Sequence, residues 1–208
     1  PEWAYPSARE LAAALQARKI SAAELLEQTI ARIDRLDRRI NAIVVRDFSR
    51  ARAAAAAADL ALARGERRPL LGVPMSFKET FHIRGLPATW GFPELRSFVP
   101  EEDALVVARF RRAGAVILGT TNVPLGLGDF QSYNDIYGTT ANPWDLDRSP
   151  GGSSGGSAAA LAAGFGALSF GSDIGGSLRV PAHFCGVYAH KPSLGLVPLR
   201  GYSPPPPM

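Results

Sequence analysis

The sequence predicts an α/β fold in which short β-strands are joined by α-helices. Two observations lead to this prediction: helical apolar patterns fill the first third of the chain, and short apolar runs then alternate with helical ones. The 208 residues are 46% hydrophobic and 20% charged, a composition typical of a globular protein with a substantial buried core. A disordered or collagen-like chain is therefore excluded.

Three helices are predicted in the N-terminal part. Serine and glutamate have capping-box spacing before two helix-forming runs, in the pairs Ser7 with Glu10 and Ser21 with Glu24. In the second helix the apolar residues at helical spacing predict a buried stripe: Leu25, Leu26, Ile30 and Ile33. A third helix over residues 48–65 ends at Gly65. Residues 1–66 are thus predicted to be a helical segment.

Residues 67–201 are predicted to form the core that carries the chemistry. Their apolar runs indicate strands at 71–77, 115–120 and 167–173, and helices at 103–114 and 157–164. Residues 202–208 are a proline-rich end, and such a run continues neither a helix nor an inner strand.

Charge and cysteine content restrict the classes of partner. Residues 1–112 carry 19 basic and 14 acidic side chains, and residues 113–208 carry 4 and 5. Because the arginines are interspersed with acids, the pattern is typical of solvated helix faces, and no nucleic-acid partner is expected. The charge-free stretch at 149–172 begins with glycine and serine, so we expect no membrane span. The single cysteine, Cys185, forms no internal disulfide, which favours a cytoplasmic location.

Glycine is concentrated in one part of the chain, where 9 of the 21 glycines fall between Gly151 and Gly176. The run GGSSGGS leads into a helix-forming segment, and the later SDIGGS repeats the theme. Backbone N–H groups of the second run are predicted to converge on one point, from Ile174, Gly175, Gly176 and Ser177. A cluster of N–H groups of this kind suits an oxyanion.

Three other kinds of site have loops of this composition. A phosphate-binding loop requires a lysine that is absent here, and no dinucleotide-binding glycine pattern is present. The spacing and residue order of an α/β-hydrolase elbow are found in Gly151, Ser153, Gly155, Asp173 and then His183 or His190. That motif needs a strand running directly into the serine, whereas the preceding ANPWDLDRSP is rich in turns. The elbow is therefore disfavoured, and His82, His183 and His190 are interpreted as structural or surface residues.

The block GGSSGGSAAALAAGFGALSFGSDIGGSLRVPAHFCGVYAHKPSLG is similar to the signature block of the amidase signature family. LGVPMSFKE resembles the family's lysine strand, and similarity extends in order over most of residues 7–201. The resemblance implies one domain over residues 1–208, built as an α/β/α sandwich around a mixed sheet with helices on both faces. It also implies a chain truncated at the C-terminus, because family members are much longer.

Site residues follow from the same resemblance. It implies that Ser177 is the nucleophile that forms an acyl-enzyme, that Ser153 is a bridging serine after a cis peptide bond, and that Lys78 accepts its proton. Supporting roles fall to Ser154, Ser172, Asp173 and Arg179. A lysine at its ordinary pKa of about 10.4 is protonated at neutral pH, so this chemistry requires burial of Lys78. The apolar VPMSF before it is consistent with that requirement.

The resulting expectation is an enzyme that hydrolyses a carboxylic amide of a small molecule. The alternatives are the amidase subunit of a glutamyl-tRNA amidotransferase, a carbamate or ester hydrolase with the same triad, and an inactive fragment or scaffold. No His, Cys, Asp or Glu cluster has metal-ligand spacing, so neither metal nor cofactor is expected. A homodimer and an association with a separate C-terminal half are both open as assemblies.

Overall fold

The computed structural model describes residues 3–202. Its helices are α1 (Ala8–Gln16), α2 (Ala22–Ile40), α3 (Phe48–Ala63), α4 (Leu105–Arg112), α5 (Gly155–Ala162) and α6 (Arg179–Cys185). Its strands are β1 (Ile43–Arg46), β2 (Pro74–Lys78), β3 (Val116–Thr121), β4 (Tyr133–Asn134), β5 (Gly138–Thr139) and β6 (Leu168–Phe170). The predicted proline-rich end lies outside the described residues except for Tyr202. No helix of this described part is long and apolar enough to cross a membrane.

The main sheet has four strands in the order β1-β3-β2-β6. Strand β2 is parallel to both of its neighbours, with Met75 opposite Ile117 on one side and Leu168 on the other. Strand β1 runs antiparallel to β3 at the edge. The sheet is therefore mixed, as predicted. Strands β4 and β5 form a separate small hairpin.

Alternating side chains of β2 and β3 pack into two apolar clusters on opposite faces of the sheet. Val116 and Leu118 join the cluster formed with α1, α2, α3 and α5. Met75, Phe77 and Ile117 join the second cluster, to which α4 contributes. Because successive strand residues point to opposite faces, these two clusters require helices on both sides. This confirms the predicted α/β/α sandwich.

The N-terminal helices begin where the sequence predicts. Both capping boxes are formed, with backbone N–H groups of the glutamates bonded to the serine hydroxyls and the glutamate side chains bonded back to the serine N–H groups. The predicted stripe of α2 is buried at all four positions, Leu25, Leu26, Ile30 and Ile33. These observations confirm that local capping and helical periodicity determine this part of the fold.

Several elements differ from their predicted form. Residues 1–66 are not wholly helical, because Asn41, after the last residue of α2, has a left-handed conformation and the chain then enters β1. Strand β2 starts at Pro74, since residues 69–72 form a turn. Helix α5 starts at Gly155, inside the glycine-rich run. Helix α6 and the β4–β5 hairpin were not predicted, because α6 contains a proline and the hairpin strands have only two residues each.

Gly156 allows α5 to approach the ends of β1 and β3 closely. Its N–H donates to the carbonyl oxygen of Asn122 at 3.3 Å. A methyl group at this position would collide with the Asn122 backbone N and lie 2.7 Å from the Asn122 carbonyl oxygen. Because those atoms belong to the main chain, they cannot move aside without distorting the sheet.

We expect Gly156→Ala to lower the free energy of unfolding by about 1–3 kcal/mol, the usual cost of overpacking a core. Gly128→Ala is the matched control, because the nearest atom to its added methyl group is the Leu125 carbonyl oxygen at 3.7 Å. Urea unfolding of both variants measures the difference. Equal midpoints for the two variants would contradict the close packing of α5.

Candidate active site

Lys78 is the last residue of β2 and points to the side of the sheet occupied by α5. Strand alternation explains this orientation, because the preceding Phe77 points into the opposite cluster. The Lys78 side chain is fully buried, with 0% exposure. Its Nζ is hydrogen-bonded to Ser153 Oγ at 2.6 Å and to Ser172 Oγ at 3.0 Å. The lysine therefore joins two loops of the glycine-rich block.

The surroundings of Lys78 favour its neutral form. Burial lowers the pKa of Lys78 from 10.5 to about 7, and the negative charge of Asp173 opposes this shift. Near neutral pH a large fraction of the amine is thus unprotonated. An unprotonated amine within hydrogen-bond distance of a hydroxyl can act as a general base.

Ser153 lies in the loop that enters α5, and it is almost completely buried. The peptide bond between Gly152 and Ser153 is cis. The next residue, Ser154, donates its backbone N–H to the carbonyl oxygen of Ser177 at 3.1 Å. The Ser154 side chain also donates to the Ser172 carbonyl oxygen at 3.2 Å. The loop with Ser153 and the turn with Ser177 are therefore directly connected.

The carboxylate of Asp173 organises the turn at Ser177. It accepts hydrogen bonds from the backbone N–H groups of Gly176 at 2.8 Å and Leu178 at 3.0 Å. Arg179 contacts both carboxylate oxygens, at 3.0 and 2.9 Å. The Arg179 guanidinium and the backbone donors hold the pKa of Asp173 well below its usual range. The turn is thus held by a carboxylate that stays ionised.

The contacts of Asp173 reduce the predicted oxyanion donors from four backbone N–H groups to three. The Gly176 N–H is occupied by Asp173. Within residues 3–202, the N–H groups of Ile174, Gly175 and Ser177 have no hydrogen-bond acceptor. These three groups are therefore free to bind an oxygen atom, whereas Gly176 is not.

Ser177 is half-buried, and its backbone carbonyl oxygen accepts the hydrogen bond from the Ser154 N–H. Its hydroxyl forms no hydrogen bond with Ser153 or with any other residue in the part of the chain that the structure describes. The structure therefore brings Lys78, Ser153 and Ser172 into direct contact, and leaves the predicted contact between the two serine hydroxyls unformed. The role of Ser177 stays a prediction at this point.

The hydrolase-elbow alternative does not fit this geometry. The chain before Ser153 is a series of turns, not a strand. His183 and His190 are exposed. Across the described residues, no histidine side chain forms a hydrogen bond with Ser153 or Ser177. The titratable side chain next to Ser153 is a lysine and not a histidine.

A cavity of about 850 Å³ opens beside the site. Ser154, Ser172 and Asp173 line one side of it, and mostly apolar residues of β6, α5 and the segment 187–199 line the rest, with His190 and Lys191 among them. A mainly apolar cavity of this size with a few polar groups is typical of a small-molecule site. Among residues 3–202, no group of three or more His, Cys, Asp or Glu side chains is placed to hold a metal ion.

Comparison of the sequence with known proteins identifies the family of this chain. Residues 24–207 match the sequence profile of the family named Amidase. The chain belongs to the amidase signature family. A glutamyl-tRNA(Gln) amidotransferase subunit of Anaeromyxobacter sp. (strain K) is 47% identical over 194 residues, which are 93% of this chain and 39% of that protein. This chain thus spans well under half the length of that relative.

Solved structures of amidase signature proteins superpose closely on this chain. The peptide amidase PAM in complex with the inhibitor chymostatin gives a TM-score of 0.93 at 33% identity, covering 98% of this chain and 43% of that one. A chain of an inhibitor-bound vestigial protein complex, connected with the origins of an s-triazine catabolic enzyme, gives 0.93 at 41% identity, covering 96% and 44%. The described architecture is therefore that of the amidase signature fold.

Some polar groups of this amidase signature site were not predicted from the sequence. The hydroxyl of Tyr202 donates to Ser172 Oγ at 2.9 Å. Glu79, next to the lysine, is fully buried and accepts hydrogen bonds from Thr89, Trp90 and Tyr137. Burial raises the pKa of Glu79. Its adjacency to Lys78 is a signal that the sequence contains, whereas nothing in the sequence connects Tyr202 with Ser172.

The lowered pKa of Lys78 has a measurable effect on stability. Between about pH 7 and 10 the unfolded chain keeps a proton that the folded protein has lost, so stability rises with pH in this window. We expect the stability of the wild type relative to Lys78→Met to rise by up to about 1.4 kcal/mol per pH unit there, and to be flat below pH 7.

Urea unfolding at a series of pH values measures this difference, and Lys19→Met, which replaces an exposed lysine, is the control. If the free energies of unfolding of the wild type and Lys78→Met differed by the same amount from pH 7 to 10, the folded protein would keep Lys78 charged in that range.

Proposed function

We propose that this site hydrolyses a carboxylic amide through Lys78, Ser153 and Ser177. The observation that carries the proposal is the fully buried amine of Lys78, 2.6 Å from the hydroxyl of Ser153. Burial makes the amine a base near neutral pH, and the short contact places the Ser153 hydroxyl where the amine can deprotonate it. Membership of the amidase signature family supports the reaction class.

In the first half of the reaction, Ser177 Oγ attacks the carbonyl carbon of the amide. Its proton passes to Ser153 Oγ as the Ser153 proton passes to Lys78 Nζ. The carbonyl oxygen becomes an oxyanion and accepts hydrogen bonds from the N–H groups of Ile174, Gly175 and Ser177. Removing one such donor in other enzymes slows the reaction by about 10²–10³-fold.

Collapse of this intermediate breaks the carbon–nitrogen bond. The proton held by Lys78 returns through Ser153 to the departing amine, and an ester between the acyl group and Ser177 remains. Water then attacks the ester, giving its proton through Ser153 to Lys78, and the acid leaves as the proton returns to Ser177. The relay requires a hydrogen bond between the two serine hydroxyls, which we propose forms on substrate binding, since catalytic contacts are often unformed without substrate.

The residues around the triad have supporting roles in this proposal. Asp173 and Arg179 fix the turn that presents the free N–H groups. Ser154 joins that turn to the loop of Ser153. The apolar cavity beside them accommodates a small organic amide, and a carbamate or ester can follow the same steps. No step requires a metal or cofactor.

A second candidate rests on the names of the relatives at 43–47% identity, each of which is a subunit of glutamyl-tRNA(Gln) amidotransferase. In such an enzyme the ammonia released from an amide passes to a partner protein. We place it second, because acidic and basic residues are interspersed in the sequence of residues 1–112, a pattern that does not favour a tRNA partner. Amide hydrolysis by the purified protein without tRNA would favour the first candidate.

The single cysteine and the free edge of β6 bear on the location and assembly of the protein. Cys185 is buried and unpaired, and burial raises its pKa to about 12, so the thiol stays protonated and unreactive. This fits a reducing compartment, and we propose the cytoplasm. We also propose that the outer edge of β6, unpaired in the described sheet, accepts a further strand from a second copy or a C-terminal half.

A fluorophosphonate tests for the activated nucleophile, because it phosphorylates activated serines. We expect peptide mass spectrometry to find the adduct on Ser177, with labelling that accelerates as the pH rises through about 7 and Lys78 loses its proton. Lys78→Met is expected to slow labelling by about 10²–10⁴-fold, the usual contribution of a general base.

Ser177→Ala removes the attacking hydroxyl and is expected to abolish the adduct. Ser49→Ala, at an exposed position of helix α3, is the matched control and should label at the wild-type rate. An adduct on Ser153 alone would overturn the assignment of Ser177 as nucleophile, and absence of any adduct would overturn the proposed activity of this chain.

A further inference from the structure

We propose that Tyr202 is a positioning residue for Lys78 and acts through the hydroxyl of Ser172. The inference rests on the proposed function, because it concerns the residue that serves there as the base. It assigns a role in the reaction to a part of the chain far from both glycine-rich runs in sequence.

Four polar groups form a continuous chain of hydrogen bonds. Tyr202 donates its hydroxyl to Ser172 Oγ at 2.9 Å, and Ser172 Oγ accepts from Lys78 Nζ at 3.0 Å. Lys78 Nζ in turn lies 2.6 Å from Ser153 Oγ. Tyr202 is only 9% exposed. The phenol is thus one hydroxyl away from the amine and shielded from most solvent.

The fold holds the phenol in place from several sides. The Tyr202 ring lies 5.0 Å from the ring of Phe81 and 6.3 Å from that of Trp90, measured between centroids. The carbonyl oxygen of Gly201 accepts the N–H of His82 at 2.9 Å. Gly201 packs so tightly that an added methyl group would lie 2.5 Å from Ala104 Cα. A residue that merely filled space would not need the hydroxyl contact.

The hydrogen bond from Tyr202 to Ser172 affects how a neutral Lys78 amine is oriented. An unprotonated lysine has two N–H bonds and one lone pair, and the lone pair must face Ser153 for proton transfer. Ser172 Oγ accepts one N–H and so fixes rotation about the Cε–Nζ bond. Because Tyr202 donates to the same oxygen, the Ser172 hydrogen must point away, which leaves a lone pair directed at Lys78.

The phenol also favours the neutral amine over the ammonium. An oxygen that already accepts a hydrogen bond from Tyr202 is a poorer acceptor for a charged ammonium. Burial raises the pKa of Tyr202, so the phenol remains a donor at neutral pH. Among the charged groups nearby, Asp173 acts on Lys78 in the opposite sense. The charged group next to Lys78 in sequence is Glu79, whose carboxylate accepts its hydrogen bonds from Thr89, Trp90 and Tyr137 and none from Lys78.

Tyr202→Phe tests the role of the hydroxyl while it keeps the aromatic ring. We expect fluorophosphonate labelling of Ser177 at pH 7 to slow by about tenfold, and the midpoint of its pH profile to rise by about half to one unit. Tyr5→Phe is the matched control, because it removes an exposed phenol that accepts a hydrogen bond from Arg32 in the N-terminal part. A purely structural role would lower the melting temperature without moving the midpoint.

The variant Ser172→Ala shows whether the effect passes through Ser172. We expect the double variant Ser172→Ala/Tyr202→Phe to label at the same rate as Ser172→Ala. A tenfold loss that persists in the Ser172→Ala background would overturn the proposed route, and an unchanged rate and midpoint in Tyr202→Phe would overturn the proposal altogether.

A readout independent of activity separates this inference from the proposed function. The pKa of Lys78, followed by NMR of ¹³C-labelled lysine, should be higher in Tyr202→Phe than in the wild type. A wild type without an adduct on Ser177 would refute the proposed function, whereas equal lysine pKa values in the two proteins would refute the inference about Tyr202.

Discussion

The amine of Lys78 is enclosed without solvent contact, and the other features of the site depend on this burial. An isolated ammonium in such surroundings is costly, so the group releases its proton at a lower pH. Lys78 stays buried because it belongs to β2, an inner strand that is hydrogen-bonded to β3 on one side and to β6 on the other. In the proposed reaction, the burial that the sheet imposes on Lys78 gives an amine that can act as a base, which an exposed lysine could not do at neutral pH.

Separate parts of the chain meet around this amine. Strand β2 supplies Lys78, the loop before α5 supplies Ser153, and the loop after β6 supplies Ser172 and Asp173. The last described residue, Tyr202, closes the arrangement. Because these groups come from four separate parts of the chain, the site exists only in the folded sheet. The close approach of α5 to the sheet at Gly156 places the loop that carries Ser153 next to the end of β2.

The sequence determines some of this by local rules. Capping boxes and apolar periodicity locate α1 and α2, and strand-like runs locate β2 and β3 within a few residues. The candidate lysine and serines follow from a motif and not from physical chemistry, since a lone lysine is most often at the surface. The contact of Tyr202 with Ser172, 30 residues apart, is a product of tertiary packing. The same is true of β1, whose four residues become a strand only by pairing with β3.

The pKa of Lys78 decides whether its amine can act as the base at neutral pH. The chain has only three lysines, Lys19, Lys78 and Lys191, so NMR of protein labelled with ¹³C at lysine Cε gives few signals. We expect that one signal, missing from Lys78→Met, titrates near pH 7 because the amine is buried. If the Lys78 signal instead titrates near the ordinary lysine value of about 10.4, the amine is charged at neutral pH and cannot be the base.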